Sequence, residues 1–172
     1  MAVKKAAARN SAKKIRDNNA QSVKAANQLD EFLAKFTPEV TETAKQALRK
    51  MRTRLPGAIE LIYDNYNALA IGFSPTERAS DAIFSIALYP RWVSLFFLMN
   101  GAKLRDPDGR LRGSGKQARH IVLDTVGTLD DPAVQELMAQ ALELSPKQFD
   151  ASQPRRLIVK SVSAKQRPRR PA

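Results

Sequence analysis

Gly113-Ser114-Gly115-Lys116 is the stretch of this sequence that comes nearest to a phosphate-binding loop. Glycines let backbone amides approach an anion, and a lysine adds charge. The full motif is not met. It requires Gly where Arg110 stands and Ser or Thr where Gln117 stands, and residues 119–124 read as a strand instead of the helix that would back the loop. Nucleotide hydrolysis is therefore not expected, and the glycines read as turn formers. The cations around them carry more weight. Lys103, Arg105, Arg110, Arg112, Lys116 and Arg119 face only Asp106 and Asp108 within 103–119, a local charge of +4. These six residues are candidates for an anion site.

His120 is the only imidazole. A general base needs a carboxylate to orient it and a nucleophile in reach. Asp124 lies four residues on, on the same side of a strand but roughly 13 Å away along it. No triad arises from local spacing, and the ordinary reading is a half-buried strand histidine. Tyr63 and Tyr66 sit in a polar aromatic cluster, and with Arg78 they are candidates to line a small pocket. Trp92, beside Arg91 on a turn, is placed either to stack a base or to cover an apolar surface. With no cysteine and one histidine, the usual nitrogen-and-sulfur metal cages are excluded. The sequence assigns no catalytic residue, no metal ligand and no cofactor.

The charge that could draw an anionic partner lies at the ends. Of the net +12, residues 1–25 hold +6 and residues 151–172 hold +7, which leaves 26–150 at −1. Basic segments attract polyanions through counterion release whatever their sequence, or serve only as solubilising appendages. The longest strongly apolar run, Val93 to Met99, is far short of the roughly 20 residues that cross a bilayer as a helix. The basic start has no apolar stretch after it, unlike a secretory signal. A cytoplasmic, bacterial-type protein without a membrane partner is the expectation.

The elements that must position these residues follow from periodicity. Residues 1–25 lack an apolar face and read as a basic disordered or loosely helical tail. Leu29, Phe32, Leu33 and Phe36 recur at helical spacing. Thr37-Pro38-Glu39 starts a second helix whose apolar stripe runs from Val40 to Leu55. Ile59, Ile62, Tyr63 and Tyr66 suggest further helical turns. Strands are expected at 67–73, 81–89, 93–99 and 119–124, with Asp106-Pro107-Asp108-Gly109 as a tight turn. Asp130-Asp131-Pro132 caps a last helix, and 157–162 is a candidate edge strand. The prediction is an α+β domain over 26–150, with helices packed on an antiparallel sheet of about four to five strands. A C-terminal extension over 151–172 ends in basic residues.

The blocks YDNYNALAIGF (63–73), YPRWVSLFFL (89–98), LRDPDGRLRGSGKQARHIVL (104–123) and LIVKSVSAKQRPRR (157–170) resemble the YdhG-like family of bacterial domains, whose function is unknown. The resemblance runs in order from about the second helix to the carboxyl end. It implies a small α+β layer, and members of this group have been likened to frataxin, an iron chaperone. Fold likeness is a weak warrant for function. Iron delivery would use a dense acidic ridge, whereas Asp30, Glu31, Glu39 and Glu42 are diluted here by Lys35 and Lys45.

The leading expectation is a non-catalytic binding module for a phosphate-bearing or nucleic-acid partner, bound weakly and with salt dependence. A frataxin-like iron carrier is the alternative, and an enzyme using His120 a third.

Overall fold

The computed structural model describes residues 2–172, and helix starts are where local sequence rules it most directly. The Thr37 hydroxyl accepts a hydrogen bond from the Val40 amide at 3.3 Å, and Pro38 opens helix α2 (Pro38–Arg54). The Asp131 carboxylate accepts from the Ala133 amide at 2.9 Å, and Pro132 opens helix α3 (Pro132–Leu144). In both, a side-chain oxygen satisfies an amide that the helix leaves free, and proline sits where no amide is needed.

Of the two forms expected for the basic tail 1–25, disordered or loosely helical, its described part takes the helical one and supplies most of helix α1 (Ala2–Leu33). Alanine, lysine, arginine and glutamine are strong helix formers, and nothing in 2–33 breaks the helix. Residues 2–17 are exposed throughout. Burial begins with Ala25, Leu29, Phe32 and Leu33, the stripe that the periodicity marks.

The sheet is a correction. It has six strands and is mixed, not an antiparallel sheet of four to five. The strands are β1 (Ile59–Asp64), β2 (Leu69–Ser74), β3 (Phe84–Leu88), β4 (Val93–Phe97), β5 (Arg119–Val122) and β6 (Arg156–Val162), in the order β5-β4-β3-β2-β1-β6. Strand β6 is the edge strand expected over 157–162, and it runs parallel to β1. Strand β1 occupies the segment whose apolar spacing suggested helix. It is buried on both faces, so it shows no alternation that would mark a strand.

One face of the sheet carries bulk. Phe73, Phe84, Phe97, Ile71, Ile86 and Leu88 are fully buried there and pack with Leu48 and Met51 of α2. Phe84 and Phe97 meet edge to face with centroids 5.7 Å apart. Truncating a fully buried Leu48 or Met51 to alanine costs about 2–5 kcal/mol. The opposite face carries Gly72, Ser85, Ala87 and Ser94, as the alternation of Phe84, Ile86 and Leu88 with Ser85 and Ala87 requires. All three helices contribute to the core on the bulky face.

Gly57 joins α2 to β1 with φ +81, and a Cβ there would lie 1.8 Å from the Asp150 carbonyl oxygen. Only glycine fits a left-handed residue pressed against that backbone.

Candidate functional site

Strand β1 places two carboxylates, Glu60 and Asp64, on the helix-bearing face, one at each end of the strand. Both are buried, and each is met by two cations, one of them from the C-terminal segment. Arg52 of α2 reaches Glu60 through Nε at 3.1 Å and Nη2 at 2.8 Å, and Arg155 reaches it at 2.5 Å. Asp64 receives Lys35 at 2.8 Å and Arg169 at 2.9 Å. Burial by itself would raise the Asp64 carboxyl, but the opposing hydrogen bonds, that of Lys35 foremost, hold it below the usual aspartate value. With both carboxylates charge-compensated, this strand presents no free acid or base.

The partners of Asp64 show that the basic C-terminal end is part of the fold. After β6 the chain crosses the end of the sheet that carries the β1–β2 and β3–β4 turns. The Ser163 amide donates to the Asp64 carbonyl at 2.8 Å, and the Arg167 amide to the Tyr66 carbonyl at 2.9 Å. Arg169 is buried and also donates to the carbonyls of Asn65 and Tyr66. Arg170 donates to the carbonyls of Lys35 and Ala34 at 3.2 and 3.3 Å. Three of the seven cations in 151–172, Arg155, Arg156 and Arg169, are spent in ion pairs.

Helix α1 is the opposite case. Lys4, Lys5, Arg9, Lys13, Lys14, Arg16 and Lys24 face only Asp17 within residues 2–25, and among the described residues none of the seven forms an ion pair. Lys5, Arg9, Lys13 and Arg16 fall at i, i+4, i+8 and i+11, which aligns them along one side of the helix. At 1.5 Å per residue, the exposed stretch 2–17 is roughly 24 Å long.

The six cations of 103–119 are not brought to one focus. Arg110 pairs with Asp131 at 2.6 Å. Arg119 donates to the carbonyls of Gly115 and Ala118 at 2.5 and 2.8 Å. Arg105 borders a cavity of about 610 Å3 that also holds Asp106, Asp108 and Glu136. Lys103 and Lys116 share a cavity of about 940 Å3 beside Leu144 and Pro146. Arg112 is bridged to His120 through the backbone, at 2.8 and 3.0 Å. Strand β5 comes directly after the glycine run, so no helix backs Gly113-Ser114-Gly115. Lys103 and Lys116 are the two that remain together.

The pocket candidates are separated as well. Arg78 lies in the β2–β3 connection, at the opposite end of the sheet from Tyr66 in the β1–β2 turn, because antiparallel strands send alternate connections to opposite ends. Tyr63 packs with Ile59, Leu61 and Ile158 on the face away from the helices, where its hydroxyl is buried without a partner. His120 stacks on Phe96 with centroids 5.0 Å apart. Burial first, and then the Arg112 charge, hold its imidazole below the ordinary histidine value. Among the described residues its ring has no carboxylate or hydroxyl hydrogen-bond partner. Trp92 stands at the β3–β4 turn, stacked on Tyr89 with centroids 5.0 Å apart and planes at 21°.

Among the described residues no three His, Asp or Glu side chains come together as a metal site. Glu42, one of the four carboxylates an iron carrier would use, is engaged by Gln46 at 2.7 Å and Arg49 at 3.4 Å. No described helix is long and apolar enough to cross a membrane.

Sequence reasoning does not single out the C-terminal arginines as parts of a site. The one signal is RPRRP over 167–171, where prolines fix the backbone beside each arginine and favour an extended path. No family model matches this chain, and no curated protein or solved structure matches it.

Proposed function

We propose that this chain is a non-catalytic module that binds nucleic acid through the phosphate backbone, with α1 as the principal contact. One observation carries the reading: seven cations stand along an exposed helix with a single acid among them and no ion pair within the described residues. Unpaired cations on a helix of this length suit a row of phosphates, whose neutralisation releases counterions without reading sequence. The YdhG-like resemblance belongs to this proposal as a reading of the fold, and it adds no activity to it.

The iron-carrier alternative has less behind it. Asp30, Glu31, Glu39 and Glu42 lie around the α1–α2 corner without converging, and hard metal ions need several oxygens at one point.

Fluorescence-anisotropy titrations of a labelled duplex and a labelled single strand, at two salt concentrations, test the proposal. Binding should be weak and steeply salt-dependent. Replacing Lys5, Arg9, Lys13 and Arg16 together with alanine should lower the slope of log affinity against log salt by about three to four. An unchanged slope would remove α1 from the interface. No binding by the full chain at low salt would remove nucleic acid altogether.

A further inference from the structure

The end of the sheet crossed by the C-terminal segment carries a second cationic surface, built differently from α1. A cavity of about 630 Å3 opens there between the β3–β4 turn and residues 167–171. Arg91, Arg167 and Arg170 border it, together with Asn67, Tyr89 and Trp92. No carboxylate lines it, and among the described residues none of these three arginines is in an ion pair.

Trp92, Arg167 and Arg170 are each braced by a neighbouring group and exposed to solvent, and Arg91 is exposed beside them. Trp92 lies on the Tyr89 ring and is 44% exposed. Arg167 sits over the Tyr66 ring at 5.5 Å, and its own amide is tied to the Tyr66 carbonyl. Arg170 is fixed by the two carbonyls at the end of α1, which occupy its Nε and Nη2. Pro168 and Pro171 restrict the backbone beside these arginines. The anchor beneath them is the buried Arg169–Asp64 pair. Groups held in this way lose little freedom when a ligand arrives.

We propose that this groove receives an unpaired nucleotide of a single strand, its base stacked on Trp92 and its flanking phosphates held by Arg91, Arg167 and Arg170. A bare phosphate site has no use for an exposed indole backed by a second ring, whereas a nucleobase offers a face to stack on it. Guanidinium groups bind phosphate oxygens in paired hydrogen bonds. The exposed Asn67 amide at the rim offers both a donor and an acceptor to a base edge. A base within a duplex keeps its faces covered by its neighbours, so the groove selects single strands. This goes beyond the α1 reading, since α1 offers charge alone.

Trp92 is the only tryptophan, so intrinsic fluorescence reports on the groove directly. The full chain is titrated with a decathymidylate strand, a ten-base-pair duplex, adenosine monophosphate and inorganic polyphosphate. The single strand should quench Trp92, while duplex and polyphosphate should bind without quenching. Arg91→Ala with Arg167→Ala should weaken the single-strand quench at least about tenfold, with the urea midpoint unchanged as a check on folding. By anisotropy with a labelled strand, Trp92→Phe should retain most of the affinity that Trp92→Ala loses. The α1 variant lacking Lys5, Arg9, Lys13 and Arg16 should still show the quench, so that failure of the α1 reading and failure of this one are told apart. Equal quenching by duplex or polyphosphate, an unaffected double variant, or no quench at all would overturn the assignment. Adenosine monophosphate quenching as tightly as the strand would overturn its single-strand part.

Discussion

The two ends of this chain carry almost the same charge, +6 over residues 1–25 and +7 over 151–172, and the fold treats them in opposite ways. The N-terminal cations stand on an exposed helix without ion pairs among the described residues. The C-terminal ones close over the sheet, and Arg169 is buried against Asp64. Charge density does not separate these cases. The difference lies in what each segment meets: the C-terminal segment leaves β6 beside a buried carboxylate and the open carbonyls of the β1–β2 turn, whereas residues 2–17 of α1 are exposed along their whole length. A cation takes up a structural role where a desolvated partner awaits it. Elsewhere it remains available to ligands.

Three measurements test this contrast. The largest effect belongs to the buried pair. Asp64→Ala leaves Arg169 desolvated without its carboxylate and should destabilise the protein by about 3–5 kcal/mol in urea unfolding. For a chain of this size the melting temperature should then fall on the order of 10 °C. Lys13→Ala, on the exposed helix, should stay within about 0.5 kcal/mol. Similar values for the two would erase the distinction between the ends.

A smaller effect should locate the point on α1 where the exposed helix becomes part of the domain. The Leu157 amide at the start of β6 donates to the Ser22 hydroxyl at 3.1 Å, and Ala25 is buried. Deleting residues 1–17 should leave stability unchanged within about 0.5 kcal/mol. Deleting 1–25 should cost about 1–2 kcal/mol, because it strands that amide and uncovers the edge of the core. Equal stability of the two shortened proteins would mean that α1 contributes nothing before Ala26.

The smallest effect is one of pH. The Asp64 carboxyl is held below its ordinary value of 3.8, so the folded state binds a proton there less readily than the unfolded chain does. The pair's contribution is therefore complete above that value and lost as pH falls through the lower, folded-state one. Backbone NMR should show the Ser163 and Arg167 amides losing protection only below pH 3.8, with the helicity of residues 2–17 unaffected. Loss of protection at higher pH would show that Asp64 is not what holds the C-terminal segment.

Much of the scaffold is legible in the sequence because its causes are local. Thr37-Pro38 and Asp131-Pro132 start helices through atoms within three residues, and the alternation of Phe84, Ile86 and Leu88 with Ser85 and Ala87 sets the two faces of the sheet. The turn at Asp106 closes as its composition requires, with the carboxylate accepting from the Arg110 and Leu111 amides at 2.9 and 2.8 Å. Strand β1 is not legible in this way, because burial on both faces removes the alternation by which a strand is recognised. Residues 2–25 lack the apolar face that marks a packed helix, yet the helix propensity of alanine, lysine and arginine suffices to continue α1 outward from its buried end.

Element types follow from local sequence wherever the deciding contacts are short-ranged, and the charge at each end is a matter of composition. Which of those charges remain available depends on contacts that form across the assembled fold. Arg169 and Asp64 are 105 residues apart, and Arg155 and Glu60 are 95 apart. Arg91 meets Arg167 and Arg170 around one cavity only because the β3–β4 turn and the C-terminal segment share an end of the sheet. No local pattern encodes such pairings, since they depend on strand order and on which side chains the assembled layers remove from water.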